Sequence, residues 1–152
     1  MTKTAKPQTA TCRRRGCHAT LTAPRSVQRG IGPTCERKER EEAAAAQARY
    51  EAAVTAAVDA VDTTAFADAK KVTDKAKQLI LDGAIVPTRV PGMYLANGSD
   101  GVSTYLTDTI ERSCTCKAGQ RLGRCNHLVA AAAIDLLDNG ALTNTTAALL
   151  AA

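Results

Sequence analysis

The chain has 152 residues, 45% of them hydrophobic and 23% charged, with a formal net charge of +5. One Phe, three Tyr and no Trp stand against 30 alanines, which favour helix but bury little area, and hydrophobic stabilisation scales with area. A large enzyme and a large self-sufficient core are excluded, so the six Cys and two His are expected to hold the compact parts together.

Residues 1–35 carry seven basic side chains and no acid, residues 36–83 are net −2, and residues 84–152 balance. Residues 1–11 read as a basic, disordered arm, a composition that suits either a polyanionic partner or simple solvation. The first ten residues contain no apolar run of signal-peptide type, and nothing approaches the ~20 apolar residues of a membrane span. The expectation is a cytoplasmic protein without membrane association. In that reducing compartment, spaced cysteines bind metal more readily than they pair.

Residues 12–38 form the first candidate module. Cys12 and Cys17 flank Arg13, Arg14, Arg15 and Gly16; Gly30-Ile-Gly-Pro33 supplies a tight turn; and Cys35 opens a helix whose free N–H groups stabilise a thiolate. Three ligands are evident. His18 is the nearest candidate for a fourth, although neighbouring side chains at 17 and 18 reach one ion only under strain. With Leu21-Thr-Ala-Pro-Arg-Ser-Val27 between knuckle and turn, the segment resembles an uncharacterised small zinc-binding domain frequent in actinobacterial and phage proteins. That family has a Cys-x-x-Cys knuckle, whereas four residues separate Cys12 and Cys17 here. The resemblance implies a zinc ion on Cys12, Cys17 and Cys35; the alternative is a degenerate site that binds none.

From Glu36 to about Val61 the chain lacks Gly and Pro, and Tyr50, Val54, Ala57 and Val61 fall at helical spacing on one narrow stripe. Asp62-Thr-Thr64 offers caps for a second helix over 64–82, with Ala65, Ala69, Val72, Ala76, Leu79 and Ile80 on its stripe and Gly83 as its C-terminal stop. Residues 36–83 are expected to pair as an antiparallel hairpin, able to recruit a partner helix or a second copy; a solvated helical spacer is the plainer alternative. Residues 84–92 contain two prolines and read as a linker. Met93–Ala96 and Val102–Thr107 then read as strands around the turn Asn97-Gly-Ser-Asp-Gly101.

Residues 114–127 hold the second candidate module. Cys114-x-Cys116 in an extended chain puts two sulfurs on one face, and Cys125-x-His127 sits at the start of a helix expected over 126–137. Gly119 and Gly123 let the intervening loop turn back. Three sulfurs and one imidazole nitrogen make a closed tetrahedral set of the structural type. Residues 93–138 resemble the SWIM-type zinc finger, whose signature is Cys-x-Cys, a variable gap and Cys-x-His. The resemblance implies Cys114, Cys116, Cys125 and His127 as zinc ligands and DNA or protein as partner. Residues 139–152 are left as a tail.

The fold expected is α+β, with two small zinc-stabilised modules joined by a helical hairpin. Catalysis is not expected: the four-donor set is closed, both His lie in the clusters, and no Gly-rich phosphate loop or Gly-x-Ser-x-Gly is present. No small-molecule substrate is expected either. The function expected is weakly sequence-specific nucleic-acid binding, DNA foremost, through Arg13, Arg14, Arg15, Lys117, Arg121 and Arg124, with few aromatics for base stacking. The alternative is a protein-interaction adaptor that uses residues 36–82 and the zinc modules.

Overall fold

A computed structural model describes residues 9–138; residues 1–8 of the expected arm and the tail from Asn139 lie outside the described residues. The chain is α+β and forms two compact units, residues 1–48 and 49–152.

In the first unit, β1 (Ala10–Thr11) pairs antiparallel with β2 (Thr20–Leu21). A short helix α1 (Pro24–Arg29) follows; proline suits its first turn because the missing N–H is not needed there. It stops at Gly30 (φ 67°), whose left-handed conformation glycine adopts without strain. Helix α2 (Pro33–Ala60) then begins three residues before the predicted Glu36, again on a proline. Cys12, Leu21 and Ile31 are buried together, with Cys17, Val27 and Cys35 partly buried against them. Neither β1–β2 nor α1 is legible in the sequence, because two-residue strands carry no periodicity.

The second unit takes the last turns of α2, then α3 (Ala69–Leu81), β3 (Ile85–Pro87), β4 (Met93–Asn97), β5 (Thr104–Asp108), β6 (Ser113–Cys114), α4 (Lys117–Leu122) and α5 (Asn126–Asp138). The strands form one antiparallel sheet in the order β3-β4-β5-β6. Among the described residues, no helix is long and apolar enough to cross a membrane.

Several expectations are corrected here. The second helix starts at Ala69 rather than 64: Asp62 folds onto the Thr64 N–H and hydroxyl as a local turn, and Asp68 is the residue that caps, accepting from the Lys71 N–H. Its end is as predicted. Gly83 (φ 66°) donates to Ile80 O and Ala84 N–H to Leu79 O, a closed left-handed stop. The proline-bearing linker contains strand β3, in which Pro87 is tolerated because β3 is an edge. The loop after Cys116 contains α4.

The two middle helices do not make a hairpin of their own. Helix α3 packs chiefly along α5, and the core joins Val54, Ala57 and Val58 of α2 to Ala76, Leu79 and Ile80 of α3, Ile85, Tyr94 and Ala96 of the sheet, and four residues of α5. Lys77 pairs with Asp59 at 2.9 Å on its margin. The stripe expected to be free for a partner helix is thus largely buried inside the second unit. A small Ala/Val core exists there in addition to the cysteine cluster, which forms a separate group with Tyr105 and Leu128 against it.

Candidate metal centres

In the second unit, sheet and helices deliver four donors to one point. Cys114 ends β6 beside Thr107 of β5; Cys116 is the N-cap of α4 with an extended backbone (φ −69°, ψ 156°); and Cys125 and His127 flank the first residue of α5. Their ligand atoms lie within 4.8 Å of one another, and all four residues are buried. Around an ion with bonds of ~2.3 Å to sulfur and ~2.0 Å to nitrogen, tetrahedral geometry separates ligand atoms by about 3.5 to 3.8 Å. The Cys114 Sγ–His127 Nδ1 separation is 3.8 Å. The donor set therefore fits a tetrahedral ion.

The surroundings fix these donors. The Gly119 N–H donates to Cys116 Sγ (3.2 Å), and the fully buried Thr107 hydroxyl donates to Cys114 Sγ (3.4 Å). The His127 ring stacks on Tyr105, with centroids 5.4 Å apart. Glycine is required at 119 because a Cβ there would lie 2.4 Å from the Cys114 carbonyl oxygen, so α4 can approach β6 only without a side chain. Burial pushes the Cys125 thiol well up, and burial together with Lys75 holds His127 below the usual imidazole range. Histidine is thus favoured as the neutral imidazole that ligates, while ionised sulfurs here need a cation beside them.

In the first unit, Cys12 follows β1, Cys17 ends the knuckle turn and Cys35 lies in the first turn of α2; their sulfurs also lie within 4.8 Å of one another. Cys35 donates to Cys17 at 3.5 Å, far beyond the ~2.05 Å of a disulfide. That hydrogen bond, with burial and the neighbouring Cys12 sulfur, pushes the Cys35 thiol up to about 11. The backbone N–H groups of Arg14 and Gly32 point at Cys12 and hold its thiol below the usual range. His18, the nearest candidate for a fourth ligand, is exposed and does not join the three sulfurs. With Cys17 turned inward, its immediate neighbour projects away.

The predicted phosphate-contacting residues divide into two sets. Arg13 pairs with Glu39 (3.6 Å) and Arg14 with Glu42, while Arg29 pairs with Glu36, so acids of α2 answer the N-terminal arginines. Arg15 is exposed. Lys117, Arg121 and Arg124 are exposed and take part in no ion pair among the described residues. Lys75 of α3 joins them: with Lys117, Asn126, Tyr105 and His127 it lines a cleft of about 240 Å³ beside the four-donor centre. Lys75, Tyr105 and Thr107 were not singled out in the sequence, since only the tertiary fold brings them to residues 114–127.

Residues 2–40 match a family model described as "Family of unknown function (DUF6011)", a stretch that includes all three N-terminal cysteines. No curated protein and no solved structure matches the chain.

Proposed function

We propose that the chain is a zinc protein that binds nucleic acid, chiefly through the phosphate backbone of DNA, and that its C-terminal centre is a SWIM-type zinc finger. The observation that carries this reading is that Lys75 and Lys117, at a cleft beside the four-donor centre, and Arg121 and Arg124, in the segment between its two donor pairs, are all exposed and in no ion pair among the described residues. Zinc is the ion for a three-sulfur, one-nitrogen tetrahedral set. It would be held by Cys114, Cys116, Cys125 and His127, with a second ion on Cys12, Cys17 and Cys35, and its contribution would be structural: neutralising the thiolates so that β6, α4 and the start of α5 can be held together. At the C-terminal centre all four positions would be filled by protein donors, which leaves no place there for a reacting water and suits a binding role for that module. Thiols that must stay reduced suit a cytoplasmic location.

Because Arg13 and Arg14 already face carboxylates, the phosphate contact falls first on the C-terminal set, and in the first unit on Arg15. An adaptor role through residues 36–82 loses weight because Val54, Ala57 and Val58 are buried in the chain's own core. The test is fluorescence anisotropy with a labelled DNA duplex across a salt series. Affinity should fall with salt by about 0.9 log units per log unit for each phosphate neutralised, and Lys117→Ala with Arg121→Ala and Arg124→Ala should flatten that slope. No binding at low salt, or binding indifferent to salt, rejects the proposal.

A further inference from the structure

We infer that the N-terminal three-thiol centre keeps one coordination position for a donor from outside the chain, and that this donor is a thiol. The inference rests on the reading that Cys12, Cys17 and Cys35 hold a divalent ion. Of the eight Cys and His residues, four belong to the C-terminal centre and three to this one. The eighth, His18, is exposed and outside the cluster. Among the described residues no carboxylate joins the three sulfurs, and the acids on the adjoining turns of α2 are engaged elsewhere: Glu36 by Arg29, Glu39 by Arg13, Glu42 by Arg14. Residues 1–8 and 139–152 contain no Cys, His, Asp or Glu. Within these 152 residues, three sulfurs are therefore what the centre has.

Among the described residues, the centre is unevenly covered. Cys12 is buried, while Cys17 and Cys35 are only partly so, and an incoming donor would reach the centre from their side. A fourth thiolate completes the all-sulfur tetrahedron that zinc accepts in closed sites. It adds a second negative charge to the centre, and the first unit offers some means to bear it: two backbone N–H groups directed at Cys12, and the exposed Arg15 close by in the knuckle turn. On entry the external thiol gives its proton to solvent and its sulfur to the ion. No oxidation is involved.

The experiment uses the full chain, loaded anaerobically with Co(II) under a phosphine reductant, with 2-mercaptoethanol as the probe. Native mass spectrometry first counts the metals. With two ions per chain, added thiol should change the visible bands along a saturable curve, and X-ray absorption should count seven sulfur–metal bonds per chain in place of six. His18→Ala, an exposed substitution, should leave both results unchanged, and Cys35→Ser should abolish the response. Two bound ions with no response to thiol overturn the open position. A spectrum that His18→Ala alters before thiol is added also overturns it, and assigns the fourth donor to this chain, or to a second copy if the alteration follows protein concentration. One ion per chain instead overturns the metal reading of the first unit, a distinct failure.

Discussion

Gly119→Ala sets helix propensity against geometry. In an ordinary helix interior the change stabilises by about 0.5 to 1 kcal/mol, since alanine is the better helix former. At this position the new methyl would sit 2.4 Å from the carbonyl oxygen of Cys114 and 2.8 Å from its Cβ, atoms of β6 that cannot swing aside. Restoring ordinary contact needs α4 to move by about 1 Å from the strand, and overpacking of that size costs typically 1 to 3 kcal/mol. That displacement also draws away the N–H that Gly119 gives to Cys116 Sγ and parts Cys116 from Cys114, two of the four donors. The loss should therefore appear in metal affinity, roughly tenfold for each 1.4 kcal/mol. Competition against a chromophoric chelator measures it, with Gly123→Ala as the comparison because a Cβ there meets nothing within 4 Å and only its φ of 63° is strained. If Gly119→Ala binds metal as tightly as the parent and melts higher, the close approach of α4 to β6 is refuted.

Thr107→Val removes the buried hydroxyl that donates to Cys114 Sγ and should weaken metal binding by about 10- to 100-fold while Thr107→Ser retains it, again by chelator competition. Val54→Ala should cost about 2 kcal/mol and lower the melting temperature of the second unit by roughly 10 °C, because Val54 is fully buried in that unit's core. If instead the change alters only sedimentation, the α2 stripe is an interface between chains. Asp100 accepts from the Ser103 hydroxyl and N–H and from the Val102 N–H, which hold its carboxyl at about 2. A depressed folded value means that the turn is supported at pH above the ordinary carboxylate range and loses that support as pH falls towards 2. Carboxyl NMR should therefore show Asp100 still ionised from about pH 5 down to about pH 3. A midpoint near 4 contradicts the turn geometry.

The C-terminal donors were legible because coordination by Cys-x-Cys and Cys-x-His is decided locally: extended backbone at 114–116 and a helix start at 126 aim the side chains with little help from elsewhere. The hairpin strands and α5 were legible from alternation and from an uninterrupted Ala/Leu run. Other parts depended on neighbours that the sequence does not reveal. Lys117–Leu122 reads as a loop because of Gly119, and only the proximity of β6 explains why a glycine stands inside a helix. Alanine-rich stripes carry too little shape to name a partner, so the sequence points α3 to its neighbour α2, whereas it packs chiefly on α5. Arg13 and Arg14 read as free charge until the acids of α2 were brought opposite them. His18 looked available because adjacency in sequence says nothing about which way a turn directs its side chains.

Pro87 has a consequence beyond its own strand. Along β3 it removes a donor from one border of the sheet, and at the opposite border β6 is two residues long before the chain bends into a ligand-bearing turn. Crowded copies thus find little on the two border strands of this sheet on which to add another. For a protein with a thin interior, this guards the sheet against fibrillar accretion.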